Sequence, residues 1–228
     1  MDEYSGIISL FIACIELLLL INVIVFAEKN EVNNAAIRII LLLLLYQLSE
    51  FIICFAGIEK QTIIYAAFAV ITLLPPLGLY LVLKFHDMDF KYSLVIYLPA
   101  LFFIFYYPLR LGEFFVTKCT VLYAVYNYPL GFSYGVVYYL PILASLIILG
   151  IKHARINDKN RKKLSLSLVL GFYLTFVPAF AAGLLYESYQ SAIESLMCKQ
   201  AVILALALTY FAITNKTEKE VEQQGNDN

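Results

Sequence analysis

Histidine is almost missing from this chain. Only His86 and His153 occur among its 228 residues, and both fall beside polar connections. A catalytic zinc centre needs three protein ligands at one point. This pair cannot supply them, so no metal site is expected. The apolar runs contain no aspartate, which removes aspartyl proteolysis inside the membrane. No Cys-x-x-Cys pair is present for quinone-coupled thiol oxidation, and no Gly-rich phosphate loop is present either. The last apolar run reads "AVILALALTYF" through its middle. It offers no deep lysine for a retinal Schiff base, and Lys199 stands near its outer end. No catalytic residue, no cofactor and no enzymatic activity are therefore expected, nor any nucleic-acid partner. The opening Met-Asp-Glu-Tyr-Ser-Gly lacks the basic region of a signal peptide, so the first apolar run reads as a retained helix.

Charge is also scarce. Charged residues make up 14% of the chain against 62% hydrophobic, with a mean hydropathy of +0.80. A soluble domain carries roughly 45–50% apolar residues. Seven runs are long enough to cross hydrocarbon ~30 Å thick: residues 6–26, 36–57, 62–84, 92–108, 131–151, 164–186 and 195–214. The fold class expected is all-α, a polytopic membrane protein of seven transmembrane helices spanning 1–214. The polar tail 215–228 is expected to be disordered and cytoplasmic. Basic residues set the orientation. With the N-terminus outside, the inner connections hold most of the lysine and arginine, and loop 152–163, "KHARINDKNRKK", is the strongest signal. That loop also offers a surface for a cytoplasmic protein partner or for anionic lipid.

Polar and small residues recur at helical spacing: Ser9, Ala13 and Glu16; Gln47, Glu50 and Cys54; Tyr65, Ala69, Thr72 and Pro76; Tyr134, Tyr138, Pro141 and Ser145; Gly171, Thr175, Pro178 and Ala182. Such stripes face a bundle interior. Glu16 and Glu50 stand out, because a carboxylate in hydrocarbon is costly unless paired, protonated or wet. Counted from the ends of their runs they differ in depth by about one turn. Glu16 is therefore expected to share an outward-facing polar cavity with Tyr46, Gln47 and Glu50. Two carboxylates in one cavity resist ionising together, so one of them is expected to hold a proton. Linker 109–130 is aromatic and lacks helical periodicity, which suits an extended lid over the outer mouth. Cys119 in that linker and Cys198 near the outer end of helix seven are the expected disulfide. Cys14 and Cys54 read as small apolar residues within the membrane.

Two stretches carry a resemblance. "YNYPLGFSYGVVYYLPILASLIILGI" with "RKKLSLSLVLGFYLTFVPAFAAGLLY" resembles helices five and six of the seven-helix sensor region of some bacterial histidine kinases. "IESLMCKQAVILALAL" is similar to the last helix of a small stand-alone family of uncharacterised prokaryotic membrane proteins. The resemblance implies a multi-pass protein of a prokaryotic inner membrane. Sensor relatives carry an output domain after helix seven. None is expected here, since the chain stops at Asn228. The function expected is a non-enzymatic sensor or ligand-binding protein for an unidentified small ligand. The alternative is a small secondary transporter or proton-coupled carrier using Glu16 and Glu50, against which the lack of a visible inverted repeat weighs.

Overall fold

The computed structural model describes residues 6–88, 93–121, 123–185 and 192–216. Seven spans among them are long and apolar enough to cross a bilayer, and the protein is an all-α, seven-helix, multi-pass membrane protein. Its elements are α1 (Ile7–Phe26), α2 (Glu31–Cys54) and α3 (Gln61–Phe85). A fourth span follows, made of a 3-10 segment (Ser93–Tyr97), the short α4 (Leu98–Tyr106) and a second 3-10 segment (Tyr107–Glu113). Then come β1 (Phe115–Cys119), β2 (Ala124–Asn127), α5 (Gly131–His153), α6 (Lys159–Leu185) and α7 (Ile193–Thr214). The tail expected to be disordered falls, from residue 217 onward, outside the described residues.

Two helices begin before their apolar runs because their first turns are polar and capped. Asn30 Oδ1 accepts from the Asn33 N–H at 2.8 Å at the start of α2. Asp158 Oδ2 accepts from the Arg161 N–H at 2.6 Å at the start of α6. These bonds satisfy N–H groups that a helix leaves open.

Helices α1, α2, α3, α5, α6 and α7 pack neighbour to neighbour into a closed ring, with α2 also touching α7 across it, and α4 leans on α3 and α5 from outside. The fourth span departs from the uniform helix expected over 92–108. Pro108 has no N–H, so it cannot donate to the Ile104 carbonyl. The Tyr65 hydroxyl of α3 donates to that carbonyl instead, at 2.9 Å. Leu41, Leu45 and Leu48 of α2, with Phe11, Leu18 and Val25 of α1, stand exposed on the lipid-facing surface. Pro178, expected on an interior stripe, is exposed as well.

The ring has two dissimilar ends. At one, residues 109–113, expected to be extended, are 3-10 helix instead. The linker after Glu113 forms the antiparallel hairpin β1–β2, pairing Phe115 with Asn127 and Cys119 with Ala124, with a register shift between Val116 and Lys118. It is fastened to α2 by a disulfide between Cys54 and Cys119, whose Cα atoms lie 5.6 Å apart. The pairing expected from sequence, Cys119 with Cys198, is therefore wrong. Helix α2 ends at Cys54 itself, so this cysteine meets the hairpin at the rim instead of lying in mid-membrane. Cys198 is a free, buried thiol. At the other, basic end, Arg161 pairs with Asp87 and donates to the Phe85 carbonyl at 2.8 Å. Lys84 pairs with Glu31 at 3.1 Å, and Asn215 donates to Asn33 Oδ1 at 2.9 Å.

Candidate functional site

A charged network lies just beneath the hairpin. Lys199 enters from the second turn of α7, and its ammonium spends all three donors there. It reaches Glu50 Oε1 at 2.8 Å, Ser9 Oγ at 2.5 Å and Gln47 Oε1 at 3.0 Å. Gln47 donates onward to the Cys198 carbonyl at 2.7 Å. The Ser195 hydroxyl donates to Glu50 Oε2 at 3.2 Å and accepts from the Ala124 N–H of β2 at 3.0 Å. The network thus ties α1, α2 and α7 to the hairpin. Its members are enclosed: the side chains of Lys199 and Glu50 are 10% and 2% exposed, and Ser9, Gln47 and Ser195 are buried.

The Tyr46 and Tyr126 hydroxyls adjoin the same place. The Glu50 charge acts on both, and Tyr46 lies between Glu50 and Tyr126. Burial first, and then the Glu50 carboxylate, hold the Tyr126 phenol well above its ordinary pKa.

Glu16 points into the bundle, as its stripe implies, with no exposed surface. It does not join the cluster expected for it. Both of its carboxylate oxygens are without a hydrogen-bond partner among the described residues, and the Lys199 charge acts on it. Glu50 pairs with the lysine at contact distance and makes no hydrogen bond with Glu16 among the described residues. The depth error has a simple origin. Helix α2 stops at Cys54, so Glu50 lies only ~6 Å below that end at 1.5 Å per residue. Ser9, two turns above Glu16 on α1, is the residue that meets Glu50.

The outward-facing cavity expected around these groups is instead roofed by the hairpin. Below Glu16 the interior turns apolar, with Leu20 and Val23 on α1, Ile40 and Leu43 on α2, and Leu204 and Leu208 on α7 all buried. Next to this layer, and sharing Leu43 and Leu204 with it, an apolar cavity of about 30 Å³ lies against Tyr138, Phe172, Met197 and Cys198. That is room for about one water, without the polar lining a water needs.

A second carboxylate, missed from sequence, lies beside the network. Glu194, in the first turn of α7, accepts from the Tyr139 hydroxyl at 2.8 Å and the Tyr128 hydroxyl at 3.3 Å. These tyrosines belong to an aromatic layer with Phe68, Phe103, Tyr107 and Tyr134. The signal that could have located both groups is the stretch "ESLMCK", where Ser195 and Lys199 stand four apart on one face of an apolar helix. Among the described residues, no three His, Cys, Asp or Glu side chains gather as a metal centre would require.

The chain matches no family model, and comparison with curated proteins and with solved structures finds no match. The stretches that resemble sensor helices therefore carry no family assignment. What stands is the seven-helix membrane fold and its buried polar cluster.

Proposed function

We propose that the protein is a non-enzymatic membrane sensor or ligand-binding protein, oriented with the disulfide end outside, whose polar centre beneath the hairpin is the site for a small polar ligand. The observation that carries this reading is Glu16. It is enclosed, makes no hydrogen bond among the described residues, and feels the charge of a lysine whose donors are already spent. A buried polar group without a partner costs about 1–3 kcal/mol. Glu16 therefore adds nothing to folding, and its chemistry is available to a bound species. The apolar layer beneath it favours binding over passage. The orientation draws support from the basic loop at one end and from the disulfide at the other, since disulfides persist on the oxidising side.

The second reading is a proton-coupled carrier using Glu16 and Glu50, and the same unpartnered carboxylate favours it. Proteoliposomes holding a pH-sensitive dye separate the two. Under an imposed pH gradient, a carrier admits protons and loses this in Glu16→Gln. A sensor admits none, but small polar solutes raise the thermal stability of the wild type. That shift should be absent in Glu16→Gln, and an undiminished shift there sinks the binding reading. A cysteine introduced at Asn157, in the basic loop, should resist membrane-impermeant thiol reagents in intact cells. Ready labelling reverses the orientation.

A further inference from the structure

A crevice of about 310 Å³ opens on the flank of the ring between α3, the fourth span and α5. Its wall is apolar and includes Pro76 of α3, Val95 and Pro99 of the fourth span, and Val136, Leu140 and Pro141 of α5. Three of these are prolines on three different elements. Proline has no N–H to donate and leaves the regular helical ladder incomplete. Val95, Val136 and Leu140 are 48%, 49% and 63% exposed, so the crevice faces the lipid. It opens where the fourth span begins, toward the basic end of α3, and its α5 wall reaches into the half of that helix nearer the hairpin.

A second observation stands beside the first. Arg38 is exposed on the lipid-facing stripe of α2 that continues through Leu41, Leu45 and Leu48. It lies ~10 Å from the basic end of that helix at 1.5 Å per residue. Among the described residues it makes no ion pair or hydrogen bond. Its charge acts on Tyr97, the last residue of the 3-10 segment that supplies Val95 to the crevice. Tyr97 packs against Tyr80 of α3, with ring centroids 6.5 Å apart. A guanidinium and two tyrosines at this depth suit a lipid headgroup, because arginine grips phosphate with paired donors and its stem reaches from hydrocarbon to the interface.

We propose that this flank is a binding site for one anionic phospholipid of the basic-end leaflet, with its phosphate on Arg38 beside Tyr97 and one acyl chain in the proline-lined crevice. The charge supplies the headgroup preference, and the crevice supplies the place. This site is independent of the polar centre under the hairpin.

The test is native mass spectrometry of the full chain, purified in detergent and delipidated. The protein is titrated with phosphatidylglycerol or phosphatidylcholine of identical chains. We expect one phosphatidylglycerol to be retained, with a preference of about fivefold for one basic side chain at a headgroup. Arg38→Gln should abolish the preference, and Val136→Phe, which fills the crevice, should weaken both lipids alike. A preference that survives Arg38→Gln overturns the proposal. So does one lost when Lys162 and Lys163 are both changed to glutamine, which would assign the headgroup to the basic loop. Val136→Phe without effect removes the crevice from the site. Should Arg38→Gln fail to fold, Arg38→Lys keeps the charge but not the paired donors. It should weaken both lipids alike while keeping the preference, which the charge supplies, and a preference lost in Arg38→Lys overturns the proposal equally.

Discussion

Replacing Lys199 with methionine should be among the most damaging changes to the stability of this protein. At 2.8 Å and an effective dielectric of about 20, the Lys199–Glu50 attraction is roughly 6 kcal/mol before solvation is counted. Desolvating the two charges offsets most of that, so the pair as a whole contributes little. Removing one partner is different. Lys199→Met leaves the Glu50 carboxylate buried with only the Ser9 and Ser195 hydroxyls, and leaves Gln47 Oε1 without its donor. The expected loss is about 3–5 kcal/mol. Glu50→Gln alone strands the ammonium and should cost a similar amount. The double variant restores neutrality, and the coupling between the two changes should be about 2–3 kcal/mol. Unfolding by SDS in mixed micelles, followed by circular dichroism, measures each term. A loss near ~0.6 kcal/mol, the average for interhelical hydrogen bonds in a membrane, would refute the reasoning. So would single losses that simply add.

Glu16→Leu should stabilise the protein by about 1–3 kcal/mol in the same assay, because it removes a buried group that has no partner. A destabilisation would mean that Glu16 holds contacts the fold needs. Cys54→Ser should cost roughly 2–4 kcal/mol by freeing the closure between residues 65 apart in sequence, and peptide mapping without reductant should recover Cys54 joined to Cys119. A Cys119–Cys198 peptide would contradict the structure. A Cβ on Gly171 would lie 2.7 Å from Ala207 Cβ of α7, so Gly171→Ala should part α6 from α7 at a cost of about 1–3 kcal/mol; a neutral result would show the helices less closely packed. His86 is held down to about 4, first by burial and then by the charges of Arg161 and Lys152, against about 6.5 when unfolded. Its contribution to stability is whole above the unfolded value and falls away as pH drops from about 6.5 to about 4. His86→Gln should flatten that slope, and an NMR titration midpoint near 6.5 would overturn the account.

The sequence by itself determined the spans, their lipid faces and the inward direction of Glu16. A chain in hydrocarbon must satisfy its own backbone, and helices do so from local sequence alone. The stripes Ser9–Ala13–Glu16 and Gln47–Glu50–Cys54 are properties of single helices, and they face inward in the folded protein. The extended character of linker 109–130 was equally local, and beyond Glu113 it became the hairpin, while residues 109–113 stayed helical. Tertiary structure decided the partners. Whether Glu50 meets Glu16 or Lys199 depends on where α1, α2 and α7 start and how they are set against one another. An error of a single turn shifts a side chain ~5 Å along the axis, enough to change every hydrogen bond it makes. Cys54 met Cys119 because α2 ends at that residue and the hairpin descends onto it, and no hydropathy run encodes that meeting. Lys199 looked like an outer-end charge in sequence. Only the closed ring and its roof turned it into the buried counter-ion of Glu50.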